Sequence, residues 1–166
     1  LLSKEVNGIG FKRADQIASQ MGIAPDAPMR IEAGIDYALY DAECNEGHCY
    51  LPLPVLVDAA ARLLQVDASV VASHVNGLIA RKSIRTDRDE HGETLVYRAF
   101  MWNLENAVAH EIVRLVRSGK HGEPDEADLR DLRCAETRLG IELADSQRQA
   151  VLTGLSEKFM VITGGP

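Results

Sequence analysis

Ser83-Ile84-Arg85-Thr86 and Thr94-Leu95-Val96-Tyr97-Arg98, joined by the polar turn Asp87–Glu93, decide the fold class of this 166-residue chain. Both runs are short and bounded by turn residues, and Gly92 sits inside the connection, so the spacing predicts a β-hairpin. No other hairpin signal occurs. Upstream, the apolar residues recur with helical spacing. Ile31, Ile35, Ala38, Leu39 and Ala42 mark one helical face between Ile31 and Cys44. Gly47-His48-Cys49-Tyr50-Leu51-Pro52 reads as a short extended segment. Pro54 suits the first turn of a helix running through Leu64, with Leu56, Val57, Ala60, Leu63 and Leu64 apolar. Asp67 or Ser69 can cap a third helix carrying Val70, Val71, His74, Val75, Leu78 and Ile79. The expectation is a mainly α chain with one hairpin near residues 84–98 and no sheet larger than a few strands.

Helices followed by a hairpin is the winged-helix order, here over residues 26–100. In a module that reads DNA, the third helix enters the major groove with polar residues forward. This helix offers Ser69, Ser73, Asn76, Arg81 and Lys82 beside a broad apolar stripe, and the wing tip Asp89-Glu90-His91 is not basic. A structural or inter-domain role is the expectation, and duplex contact the alternative.

Residues 1–25 end where two prolines interrupt Ile23-Ala24-Pro25-Asp26-Ala27-Pro28. Within them, Val6-Asn7-Gly8-Ile9-Gly10-Phe11-Lys12-Arg13-Ala14-Asp15-Gln16-Ile17-Ala18 has the pattern of a helix-hairpin-helix motif. Gly8 and Gly10 permit a tight hairpin whose backbone N–H groups can approach a phosphate. The helix starting near Phe11 turns its positive dipole end to the same anion. Lys12 and Arg13 add charge at the rim. Contact of this kind reads phosphate and not sequence. A plain Gly-rich turn between two packed helices is the alternative.

On the other side, residues 101–140 read as a helical connector, with Trp102, Leu104, Ala107, Val108, Ile112, Leu115 and Val116 on one stripe and a break at Gly119–Pro124. Glu105 and Glu111 lie six residues apart and do not face each other on a helix, so both are expected to be solvated. No catalytic residue is expected in the chain.

Residues 141–166 hold two half-motifs. Leu143-Ala144-Asp145-Ser146-Gln147-Arg148-Gln149-Ala150-Val151 places a Gln, which both donates and accepts, where it can read an adenine edge. The apolar run Val161-Ile162-Thr163 then reads as a strand entering Gly164-Gly165-Pro166, the way many phosphate-binding loops begin. The full loop needs a Lys for the β/γ-phosphates and a Ser/Thr for Mg²⁺, and neither follows. Both ends of the sequence read as truncations.

A net charge of −7 argues against a general nucleic-acid coat but leaves room for a local basic site. Residues 26–67 carry eight acidic and two basic side chains, residues 68–120 eight basic and six acidic. Nucleic-acid contact is therefore expected in the latter region or near the N-terminus. Cys44, Cys49 and Cys134 form no disulfide framework, which suits a cytoplasmic location. Cys44, His48 and Cys49 lack a second ligand pair, so no metal site is expected. His48, His74 and His91 are expected to be surface or core histidines. No apolar run reaches membrane length.

Taken together, Val6–Ile17, Glu46–Pro52, Leu143–Val151 and Ile162–Pro166 resemble the RecD-like DNA helicases of superfamily one, of the long bacterial kind that works without the partner subunits of the RecBCD nuclease. The resemblance implies an ATP- and Mg²⁺-dependent 5′-to-3′ helicase acting in DNA repair or recombination. It implies that this chain is the N-terminal part, ending inside the Walker A motif at the truncated start of a RecA-like α/β domain. Gln147 would read adenine, Gly164, Gly165 and Pro166 would open the phosphate loop, and Gly8, Gly10, Lys12 and Arg13 would contact DNA. The 166 residues alone are expected to be inactive and to hold no nucleotide. A non-catalytic nucleic-acid adaptor and a part of a relaxase-fused conjugative helicase are the alternatives.

Overall fold

A computed structural model describes residues 10–119 and 122–164. Gly8, Gly165 and Pro166 lie outside the described residues. The chain divides into two compact units, Leu1–Glu105 and Asn106–Pro166.

The first unit begins with helix α1, Phe11–Gln20, and α2, Pro28–Asp41. Helix α2 starts three residues earlier than its apolar stripe suggests, because Pro28 can occupy the first turn, where no amide donor is needed. It ends in a π-turn, Ala42–Glu46, closed by Gly47 in the left-handed region at φ 73°. Strand β1 is only Leu51–Pro52, since Pro52 has no N–H for a ladder and α3, Leu53–Leu64, follows at once. Helix α4, Ala68–Ala80, is capped by Asp67, whose Oδ1 accepts from the Ser69 amide at 2.8 Å. Strands β2, Ile84–Arg88, and β3, Thr94–Arg98, make the expected hairpin. Its tip is organised by Asp89, whose Oδ1 accepts from the His91 and Glu93 amides at 2.9 and 2.8 Å, with Gly92 at φ 80°.

Strand β3 is central in a three-stranded antiparallel sheet of order β1-β3-β2. Val96 faces both Leu51 and Thr86, which fixes the register. The core joins helices and sheet: Ile31, Ile35 and Leu39 of α2, Leu56, Ala60 and Leu64 of α3, Val71, Val75 and Leu78 of α4, and Ile84 and Val96 of the sheet. These recur at three- and four-residue steps on each helix, as an inward stripe requires. Burying one such side chain contributes roughly 1.5–3 kcal/mol. Phe11 joins the same cluster, so α1 is anchored to the unit by its first residue, and its ring stacks on Tyr37 with centroids 4.7 Å apart. Helices α2 and α3 approach closely at Gly34, where a Cβ would lie 2.5–2.7 Å from three Leu64 atoms.

Helix α5, Ala99–Arg117, carries the expected stripe but buries none of its residues. Leu104 and Val108 stay about half exposed. Its first turns belong to the first unit. There the Cys49 thiol donates to Glu105 Oε1 at 3.4 Å, and the Arg85 guanidinium lies 5.6 Å over the Trp102 ring. Glu105 is therefore an acceptor for a thiol and not only a solvated side chain. Burial and the Glu105 carboxylate push the Cys49 thiol above its ordinary pKa, which disfavours the reactive thiolate.

The second unit holds the rest of α5, then α6, Glu126–Leu139, and α7, Asp145–Ser156. Asp125 and Asp128 form a capping box at the start of α6: Asp125 Oδ1 accepts from the Ala127 and Asp128 amides, and Asp128 Oδ2 accepts from the Asp125 amide. Gly140, at φ 65°, ends α6. Glu136 Oε1 then accepts from the Leu143 amide at 2.8 Å and from Arg148 Nη2 at 2.9 Å, which pins the α6–α7 turn. These bonds hold the Glu136 carboxyl below its ordinary pKa, the Leu143 amide first and Arg148 second. A depressed folded pKa adds stability that is complete above the unfolded carboxylate range and fades as pH falls through the folded value. Acidification below about pH 4 is thus expected to loosen the turn, read as a lower protection of the Leu143 amide relative to an unprotected amide at the same pH. Glu136→Gln should lose that pH dependence; a protection of Leu143 that is the same at low and neutral pH in the parent rules the linkage out.

The run Val161-Ile162-Thr163 corrects an expectation. It forms no strand among the described residues, and Val161 and Ile162 are 67% and 72% exposed. An apolar run becomes a strand only when another edge supplies its hydrogen bonds, and none does so among the described residues.

Candidate nucleic-acid interface

Gly10 immediately precedes helix α1, and its φ of −66° and ψ of 157° are ordinary extended values. The Gly10 carbonyl accepts from the Arg13 and Ala14 amides, both at 3.1 Å. Among the described residues no side chain caps this helix, and its first turn carries no acidic residue. The Phe11 and Lys12 amides have no acceptor within the helix, and the positive end of its dipole lies at this turn. A Cβ on Gly10 would meet nothing within 4 Å. Neither backbone strain nor packing against the described residues requires glycine here. Lys12 and Arg13 are exposed on the same turn, and neither has a carboxylate partner among the described residues. The structure thus brings Gly10, Lys12 and Arg13 together at one helix start, as the sequence suggested for these three.

Arg30 was not singled out in the sequence, yet it fixes how α1 is presented. Its Nε and Nη2 donate to Asp15 Oδ1 and Oδ2 at 2.7 and 2.8 Å, a two-pronged ion pair. The same guanidinium donates to the Leu64 carbonyl at 2.9 Å and to the Pro25 carbonyl at 2.6 Å. One side chain therefore ties α1, the α1–α2 loop and the end of α3 together. The planar fork of Arg suits this multiple donation as Lys would not. Between α1, α2 and α3 lies a groove of about 910 Å³, whose lining includes Lys12, Asp15, Gln16, Arg30 and Arg62.

The α4 side of the unit is less suited to phosphate. Arg81 is paired with Glu32 Oε1 of α2 at 2.5 Å, so its charge is already met. Lys82 sits at φ 60°, and the hairpin tip turns its Asp89 carboxylate inward on backbone amides. His74 Nδ1 lies 2.9 Å from the Val70 carbonyl, within its own helix. No group of three or more potential metal ligands occurs among the described residues.

In the second unit, Gln147 is exposed, and its Oε1 accepts from the Ala144 amide at 3.0 Å. It is the return half of a capping arrangement, since Ala144 has no side-chain acceptor to offer. Gly164 faces open space. Gly165 and Pro166, the other two residues read as opening a phosphate loop, lie outside the described residues.

No helix among the described residues is long and apolar enough to cross a membrane. Compared with known protein families, residues 1–50 match a model described as the HHH domain of ATP-dependent RecD2 DNA helicase. That match supports an N-terminal region of RecD2 type and contains Gly8, Gly10, Lys12, Arg13, Asp15 and Arg30.

Proposed function

We propose that this chain is a DNA-contacting accessory region of an ATP-dependent helicase of the RecD2 kind, a 5′-to-3′ enzyme of DNA repair. The observation that carries the reading is the match of residues 1–50 to that family's helix-hairpin-helix domain, on a helix whose uncapped, acid-free start bears Lys12 and Arg13. Gly8, Gly10, Lys12 and Arg13 make the contact, through backbone amides and two charges, and so without regard to sequence. Residues 26–100 form a winged helix, supported by the order α2-β1-α3-α4-β2-β3, and serve mainly as a spacer, supported by the Arg81–Glu32 pair. Residues 101–140 are the connector, and 141–166 open the RecA-like domain, in which Gln147, Gly164, Gly165 and Pro166 serve ATP and Mg²⁺ in the complete enzyme.

Binding of short duplex and single-stranded DNA, followed by fluorescence anisotropy, tests the reading. Few phosphates are neutralised, so the log–log salt slope is expected to be shallow, about −1 to −3. Gly10→Val should leave the fold intact, because the added side chain starts in open space, while abolishing close phosphate approach. Lys12→Ala with Arg13→Ala should weaken binding uniformly across sequences. Arg81→Ala with Lys82→Ala should change it little. If the last pair removes binding and Gly10→Val leaves it whole, the contact belongs to α4 and not to α1.

A further inference from the structure

We propose that Arg30 is a positioning residue for DNA contact, acting by occupying Asp15 so that the Lys12 ammonium is left for phosphate. The inference rests on the function proposed above. Lys12 and Asp15 stand three residues apart on α1, the spacing at which opposite charges on a helix pair with each other. Both line the same groove. Left alone, the Asp15 carboxylate would neutralise Lys12 and set a negative charge one turn from the helix start, opposing an incoming phosphate.

Arg30 prevents this. It engages both Asp15 oxygens, at 2.7 and 2.8 Å, with both side chains mostly buried. A two-pronged Arg–carboxylate bond in that setting outcompetes a single exposed Lys–Asp contact. The Leu64 and Pro25 carbonyls take further donors of the same guanidinium and hold it in place. The outward charge of α1 is then that of Lys12 and Arg13 alone.

The test uses the 166-residue protein and DNA anisotropy in about 50 mM salt, with thermal unfolding recorded for each variant. Arg30→Met is expected to weaken binding about tenfold and make the salt slope shallower by about 0.9, the loss of one phosphate contact. Asp15→Asn in the Arg30→Met background is expected to restore affinity to within about twofold of the parent, because no carboxylate remains to hold Lys12. A merely structural role predicts the opposite, since the double variant lacks the same clamp and recovers nothing. If Arg30→Met does not fold, Arg30→Lys replaces it. A single ammonium cannot span both oxygens, and the same direction and the same rescue are expected at smaller size. Unchanged affinity in a folded Arg30 variant, or no rescue by Asp15→Asn, overturns the inference. A parent protein that binds no DNA overturns the proposed function itself, which separates the two failures.

Discussion

Arg98→Met is expected to destabilise the first unit by on the order of 3 kcal/mol, because it strips the partner from a buried carboxylate. Arg98 Nη1 donates to Glu43 Oε2 at 2.8 Å and Nε to Asp36 Oδ1 at 3.3 Å, and the guanidinium lies 5.3 Å from the Tyr40 ring. The Glu43 side chain is only 9% exposed, and its Oε1 is buried without a hydrogen-bond partner among the described residues. Burial works against the charge on Arg98, but the Glu43 and Asp36 carboxylates outweigh it and hold the guanidinium pKa above its ordinary value. The figure sits at the low end for a buried pair because 27% of the Arg98 side chain still meets solvent. Denaturant unfolding should show the loss as a lower midpoint with an unchanged slope. Adding Glu43→Leu should recover most of it, since the buried carboxylate is then gone and Asp36, whose side chain is 31% exposed, keeps its contact with solvent. A single variant as stable as the parent would mean that Glu43 is solvated without Arg98.

Gly34→Val is the second large effect expected, a loss of about 2–3 kcal/mol from overpacking. The new Cβ would fall 2.5–2.7 Å from Leu64 Cδ1, Cδ2 and Cγ. Leu64 is 1% exposed and sits at the end of α3 in the core, so it has nowhere to turn. Gly34→Ala should cost less, because about 1 kcal/mol of helix propensity offsets the same clash. Combining Gly34→Ala with Leu64→Ala should cost clearly less than the two losses summed, since one change removes the atom that the other strikes. Additive losses would place the two helices farther apart than the structure does.

These two sites show where a linear reading ends. The helices α2, α3 and α4, the hairpin, and the break between α5 and α6 all follow from apolar period, Pro54, Asp67, Gly92 and the stretch Gly119–Pro124. Each is a local signal, because a helix face or a turn is set by residues within a few positions of one another. The basic start of α1 at Gly10, Lys12 and Arg13 was legible for the same reason.

What stayed hidden was every pairing across the chain. Arg30 with Asp15, Arg98 with Glu43, Arg81 with Glu32 and Cys49 with Glu105 span between 15 and 56 residues. No local pattern marks such partners, because they meet only after the helices have packed. The same limit explains Val161–Thr163: β-propensity states what a segment can do, and only a neighbouring edge turns it into a strand. Sequence alone therefore determined the elements of this protein and the location of its exposed basic helix start. Tertiary structure decided which charges remain available there, since an ion pair removes a charge from the surface only where the fold brings its partner.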